Sequence, residues 1–190
     1  MNENQTNKRT SSQKIKTLCE VAVMVAVSLA LSYVELELGA AGGSVGFVMI
    51  PIFLICFRHG FSWGLAAGLV FGTLKCLLTE GIGYGWQAML LDYSVAYLAC
   101  GLCGLWKKPN LSGVVLGTLV GSTARWLIHT ISGVILWGEW MPDVYLGMAM
   151  NNVWLYSMLY NGVYMSLNCV VAVAVLVLLY KRAHVLFEVK

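Results

Sequence analysis

Asp92, Arg125 and His129 stand inside long apolar stretches of a 190-residue chain, and Lys75 lies close enough to the end of another for its amine to reach the interface. Ionisable side chains in such surroundings are costly and mark functional candidates. Arg125 and His129 are four apart, and Gly133 and Trp137 continue the same helical face. Tyr156, Tyr160 and Tyr164 form a second four-residue stripe with Asn161 beside it. One carboxylate among aromatic rings suits a flat organic cation, through charge pairing and cation–π attraction. Two other readings of the same residues stand beside this one. Asp92 is a structural counter-charge for Arg125, or His129 is a satisfied bundle histidine. A catalytic set of Asp92, His129 and Arg125 is disfavoured, because neither a nucleophile nor a metal cluster accompanies it.

The elements that must position these groups follow from composition. Hydrophobic residues make up 59% of the chain and charged ones 11%, against about 45–50% and 25% for soluble domains. The mean hydropathy is +0.76. A disordered chain and a soluble domain are both excluded, since neither can be built from so little charge. A helical span needs about 20 apolar residues. The breaks divide the chain into apolar segments at roughly 14–35, 45–57, 61–79, 85–106, 111–138 and 151–181. The expected fold is an all-α membrane protein of six transmembrane helices, one domain over residues 1–190 with residues 1–13 as a polar tail. The second segment is too short to cross upright.

Charge sets the orientation. Lys8, Arg9, Lys14 and Lys16 lie before or at the very start of the first span, and Arg58, Lys107, Lys108, Lys181, Arg182 and Lys190 fall in alternate breaks or the tail. Glu35, Glu37, Glu80, Glu139 and Asp143 fall in the other breaks. Basic loops stay cytoplasmic, so both termini are expected inside and residues 36–44, 80–84 and 139–150 outside. The basic clusters are topology signals, and no nucleic-acid partner is expected. At about 1.5 Å per residue, Asp92 then lies roughly 10 Å below the outer surface, His129 roughly 14 Å, Asn161 roughly 15 Å and Tyr156 roughly 8 Å. Three helices therefore bring polar and aromatic groups to one depth.

Other chemistry is thinly represented. All six cysteines lie in apolar runs and read as small hydrophobes; Cys100 and Cys103 have C-x-x-C spacing without a second pair. A phosphate-binding loop, an H-E-x-x-H helix and an internal repeat are all missing from the sequence. Neither a metal nor a cofactor is expected, and any ATP hydrolysis must reside on another chain. Glycines at positions 60, 64, 68 and 72, and at 113, 117 and 121, permit close helix packing. Ala22, Ala26 and Ala30 form a further small stripe, open to packing inside the bundle or to docking another membrane protein.

Several strings, in order, resemble one family. They are Glu20-Val-Ala-Val-Met-Val-Ala26, Gly42-Gly-Ser-Val45, Met49-Ile-Pro-Ile-Phe53 and Leu91-Asp-Tyr93, then Arg125-Trp-Leu-Ile-His-Thr-Ile-Ser-Gly133 and Tyr156-Ser-Met-Leu-Tyr-Asn161 with Tyr164-Met165. The chain resembles the thiamine-specific substrate-binding (S) components of energy-coupling factor vitamin transporters. The resemblance implies a bacterial plasma-membrane subunit that captures thiamine near the outer face without chemistry. It also implies assembly with a transmembrane coupling subunit and two ATPase subunits. By resemblance, Asp92 faces the thiazolium ring, while Tyr93, His129, Trp137, Tyr156 and Asn161 are further ligand contacts. Gly42, Gly43 and Ser44 match a lid, and Ala22 and Ala26 match the surface on which the coupling subunit docks. Departures are also visible: a second acid of the family appears as Gly46, a tryptophan of the third span as Phe71, and the lid-side aromatic is best matched by Tyr84. An S component for another vitamin or cation is the alternative on the same scaffold.

Overall fold

The computed structural model describes residues 3–38, 43–107 and 109–188. Helix α1 runs Glu3–Ser32, further toward the N-terminus than the expected start at 14. Its apolar portion is Ser11–Ser32, and once a membrane segment has nucleated a helix, the polar residues before it extend that helix at little cost. Strands β1 (Leu36–Glu37) and β2 (Ser44–Val45) pair antiparallel, with Leu36 opposite Val45 and Glu37 opposite Ser44. Pairing takes Val45 out of the expected second span, and helix α2 starts at Met49 and ends at His59. Pro51 is accepted because it lies in the first turn, where its missing N–H has no partner to lose. Eleven residues rise only about 16 Å, too little for a bilayer core. Nearly all of α2 is buried, from Met49 through Phe57. It is the central post of the bundle.

Gly60 turns the chain directly into α3 (Phe61–Leu78), with a φ of 89° that favours glycine. The fourth span, α4, covers Gly81–Trp106. It is helical throughout but not uniformly α: the ends tighten to 3₁₀ geometry, and residues Met89–Val95 widen into a π-turn. A methyl group on Gly68 or Gly72 would strike the carbonyls of Tyr97 and Tyr93, so the glycine stripe of α3 is where α4 approaches. Helix α5 (Leu111–Trp137) starts under the Asn110 side chain, which accepts from the Gly113 N–H at 2.8 Å. Helix α6 (Val153–Arg182) starts under Asn152 in the same way. Between them, β3 (Val144–Tyr145) and β4 (Met148–Ala149) form a hairpin. Its two turn residues, Leu146 and Gly147, both have positive φ, the turn that matches strand twist.

Among the described residues, five helices are long and apolar enough to span a membrane, and α2 is a shorter sixth. Leucines, valines and isoleucines remain exposed along α1, α3, α5 and α6, as lipid-facing surfaces require. Charged groups close one end. Glu20 of α1 accepts from Arg58 Nε at 2.9 Å and lies 2.9 Å from His59 Nε2. Arg58 Nη1 donates at 2.8 Å to the carbonyl of Val185, beyond α6. Glu20 of α1, the end of α2 and the segment beyond α6 thus meet at the end of the bundle that carries the basic breaks. Glu35, Trp137 and the β3–β4 hairpin occupy the other.

Candidate ligand-binding site

Asp92 projects from the middle of the π-turn in α4. Such widened turns insert an extra residue, re-aim the side chains on them and recur at functional sites. Here the carboxylate is delivered toward α5, where Trp137 Nε1 donates to its Oδ2 at 3.0 Å and His129 Nδ1 lies 3.4 Å from its Oδ1. The Asp92 side chain keeps 17% of its surface exposed and that of His129 11%, so the pair is withdrawn from solvent but still reachable. Tyr84, at the start of α4, stands edge-on to Trp137 with centroids 5.5 Å apart, and is itself exposed.

Arg125 does not pair with Asp92. Its guanidinium lies 4.0 Å over the centre of the Tyr97 ring, and its Nε donates to His129 Nε2 at 3.3 Å. The imidazole therefore stands between the two charges, and the counter-charge reading of Asp92 gives way to an ordered line from carboxylate through histidine to guanidinium. Cation–π contact replaces the anion that a buried arginine usually finds.

Two residues take places that the sequence did not suggest. Lys75 was expected to snorkel from a span end; instead its Nζ turns inward, 2.7 Å from Glu35 Oε2 and 3.3 Å from the Tyr97 hydroxyl. Glu35 was expected among the exposed acids of an outer loop, yet its side chain is 10% exposed and accepts from Ser44 Oγ at 2.8 Å. A buried amine and a buried carboxylate each offset the other's desolvation. Gly46 makes the room: a Cβ there would come within 2.6 Å of Glu35 Cγ. The Glu35 side chain thus fills the space that a side chain at position 46 would need. No spacing rule would have found this pair, because it joins the end of α1 to the end of α3.

The segment 43–46 lies across α6. Gly43 N–H donates to the Tyr160 hydroxyl at 2.9 Å, while Asn168 accepts from Gly46 N–H at 3.0 Å and donates to the Ser44 carbonyl at 2.7 Å. Of the expected lid residues, Gly43 and Ser44 sit here; Gly42 lies outside the described residues. Tyr156 stacks on Tyr160 at 5.7 Å, and Tyr145 from the hairpin stands edge-on to both. Tyr164 continues the stripe to His129, with ring centroids 6.0 Å apart. The aromatic stripe thus reaches from the outer end to the histidine.

Asn161 is buried and engaged by the bundle: its Nδ2 donates to the Ser157 carbonyl at 2.8 Å and the His129 carbonyl at 3.2 Å, and its Oδ1 accepts from Tyr164 at 2.6 Å. Phe71 is fully buried and meets Tyr97 edge-on at 4.6 Å, so it reaches the polar line only through that ring. The Tyr93 ring lies on the α3 side, beside Gly81 and Cys76. Asp92, Trp137, Tyr84 and His129 are therefore gathered directly. Tyr156 joins through the tyrosine stripe, and Tyr93 and Phe71 stand apart.

Comparison with known proteins places the chain in a family. A family model described as "Thiamine transporter protein" matches residues 18–188. The chain belongs to that family. A relative from Bacillus subtilis (strain 168), named thiamine transporter ThiT, is 33% identical over 187 residues, covering 90% of this chain and 94% of that protein. A thiamine transporter ThiT from Lacticaseibacillus paracasei is 29% identical, covering 94% and 93%. The solved structure of ThiT from Listeria monocytogenes superposes with a TM-score of 0.79 at 25% identity, over 93% of this chain and 99% of that one. This member of the thiamine transporter family is a multi-pass protein of the bacterial plasma membrane.

The small stripe of this family member faces outward. Ala22 and Ala26 are both exposed and line an apolar groove of about 320 Å³ between α1 and α3, with Trp63, Ala66, Ala67 and Val70 opposite. The stripe is thus not consumed by packing inside the bundle.

Proposed function

We propose that this chain is the thiamine-binding S component of an energy-coupling factor importer, taking thiamine from the outer face and delivering it with a coupling subunit and two ATPase subunits. The observation that carries the reading is the setting of Asp92. A partly exposed carboxylate is held between Trp137 and His129, while the nearby guanidinium is drawn off onto Tyr97. The carboxylate is left to face a permanent cation, with Trp137 and Tyr84 as ring surfaces for a flat ligand. The names of the relatives support thiamine as that ligand. Binding asks for neither a cofactor nor a covalent step. Assembly would use the Ala22 and Ala26 groove, where small side chains let a partner helix approach closely.

Ligand identification on protein purified from its own host, followed by titration of the stripped protein with thiamine, tests the reading. Trp137 reports on the carboxylate it touches, so saturable quenching of tryptophan emission is expected. Protein that carries no thiamine and shows no saturable response would overturn the assignment.

A further inference from the structure

The line from Asp92 through His129 to Arg125 carries information about protons. A guanidinium has five N–H donors, no acceptor, and keeps its charge at any physiological pH. Where Arg125 Nε donates to His129 Nε2 at 3.3 Å, that ring nitrogen must offer a lone pair. The ring hydrogen then belongs on Nδ1, which faces Asp92 Oδ1 at 3.4 Å, and a carboxylate is the acceptor it needs. Both ends of the imidazole are specified by groups of opposite character.

We propose that Arg125 is a positioning residue that locks His129 as the neutral Nδ1–H tautomer, so that Asp92 keeps its negative charge for a cationic ligand. This rests on the cation-binding reading above and deepens it. An imidazolium at position 129 would pair with Asp92 and cancel the charge the ligand requires. Arg125 opposes that state twice, by occupying Nε2 as a donor and by placing a positive charge beside the ring. Its seat on Tyr97 holds it on the far side of the histidine, away from Asp92.

The other groups around the ring fit the same assignment. Asp92 approaches from α4 and the Tyr164 ring from α6. Lys75 of α3 adds a second positive charge at longer range, already committed to Glu35 and the Tyr97 hydroxyl. Asn161 binds the His129 backbone carbonyl and leaves the ring alone. The Glu35 carboxylate serves Lys75 and Ser44.

The test uses ¹⁵N-histidine-labelled full-length protein, with the His129 signals assigned by their loss in His129→Gln. The ligand-free wild type should show hydrogen on Nδ1, a bare Nε2, and no titration between about pH 5 and 8, the range in which histidine ordinarily changes charge. Thiamine affinity should follow, relative to wild type: Arg125→Met should weaken by up to about tenfold for each pH unit below about 6.5, whereas Arg125→Lys, which keeps a charged donor, should track the wild type. A wild-type ring with hydrogen on Nε2, or already charged at neutral pH, would overturn the lock, whether or not Arg125→Met folds. So would an Arg125→Met profile parallel to that of the wild type. If the tautomer is as expected but thiamine does not bind at any pH, the lock stands and the choice of ligand falls.

Discussion

Replacing Asp92 by asparagine removes one charge and leaves the volume almost unchanged. Two unit charges about 4 Å apart attract by about 4 kcal/mol at an effective dielectric near 20. The carboxylate retains 17% exposure, so water at the mouth screens part of this, and a contribution of about 1.4 to 4 kcal/mol remains. That corresponds to a loss of roughly tenfold to a thousandfold in thiamine affinity. A second, smaller cost follows from the neighbours. Trp137 Nε1 and His129 both present hydrogens to Asp92, and an amide has one oxygen to accept them. Isothermal titration of the folded variant with thiamine, and with an analogue whose thiazolium is replaced by an uncharged ring, isolates the charge term. Thiamine should lose most of its advantage and the neutral analogue should change little. Equal losses for both ligands would remove Asp92 from ligand recognition and refute the electrostatic argument.

Three further outcomes are expected. In a background lacking reactive cysteines, a cysteine at position 143 should be labelled by an impermeant reagent added to intact cells and one at 107 should not; the reverse would invert every depth in the site. Changing Ala22 or Ala26 to arginine should abolish assembly with the coupling subunit, followed by co-purification, while thiamine binding by the isolated bundle persists; lost binding with retained assembly would return the stripe to internal packing. Lys75→Met strands the Glu35 carboxylate, which is 10% exposed, and should destabilise the protein by about 3–5 kcal/mol in denaturant unfolding. Adding Glu35→Gln should recover much of that, and additive losses would show that the pair is not coupled.

Apolar periodicity and the alternation of basic and acidic breaks were enough to read a six-helix bundle, its helix positions to within a few residues in the later spans, and the shared end of its termini. These properties are local: a lipid solvent demands about 20 apolar residues per span and keeps lysine and arginine on one side. The outward face of Ala22 and Ala26 was left open by the sequence, because a small residue permits close packing wherever it points; the groove against Trp63 places it. Asp92, His129 and Trp137 were legible as candidates because ionisable and aromatic residues at matched depth are rare in apolar spans. Their partnerships were not legible. A period of 3.6 places Asp92 on a helix face only while the ladder is regular, and the π-turn at Met89–Val95 resets that phase. Whether Arg125 would meet a carboxylate, an imidazole or a ring depended on where α4 and α5 cross, and there Gly117 and Gly121 of α5 lie against the Cys103 and Cys100 carbonyls of α4. Glu35 and Lys75 lie 40 residues apart and belong to different helices' ends. Their pairing arises because desolvation penalises each charge alone, a penalty that exists only once the fold has buried them both.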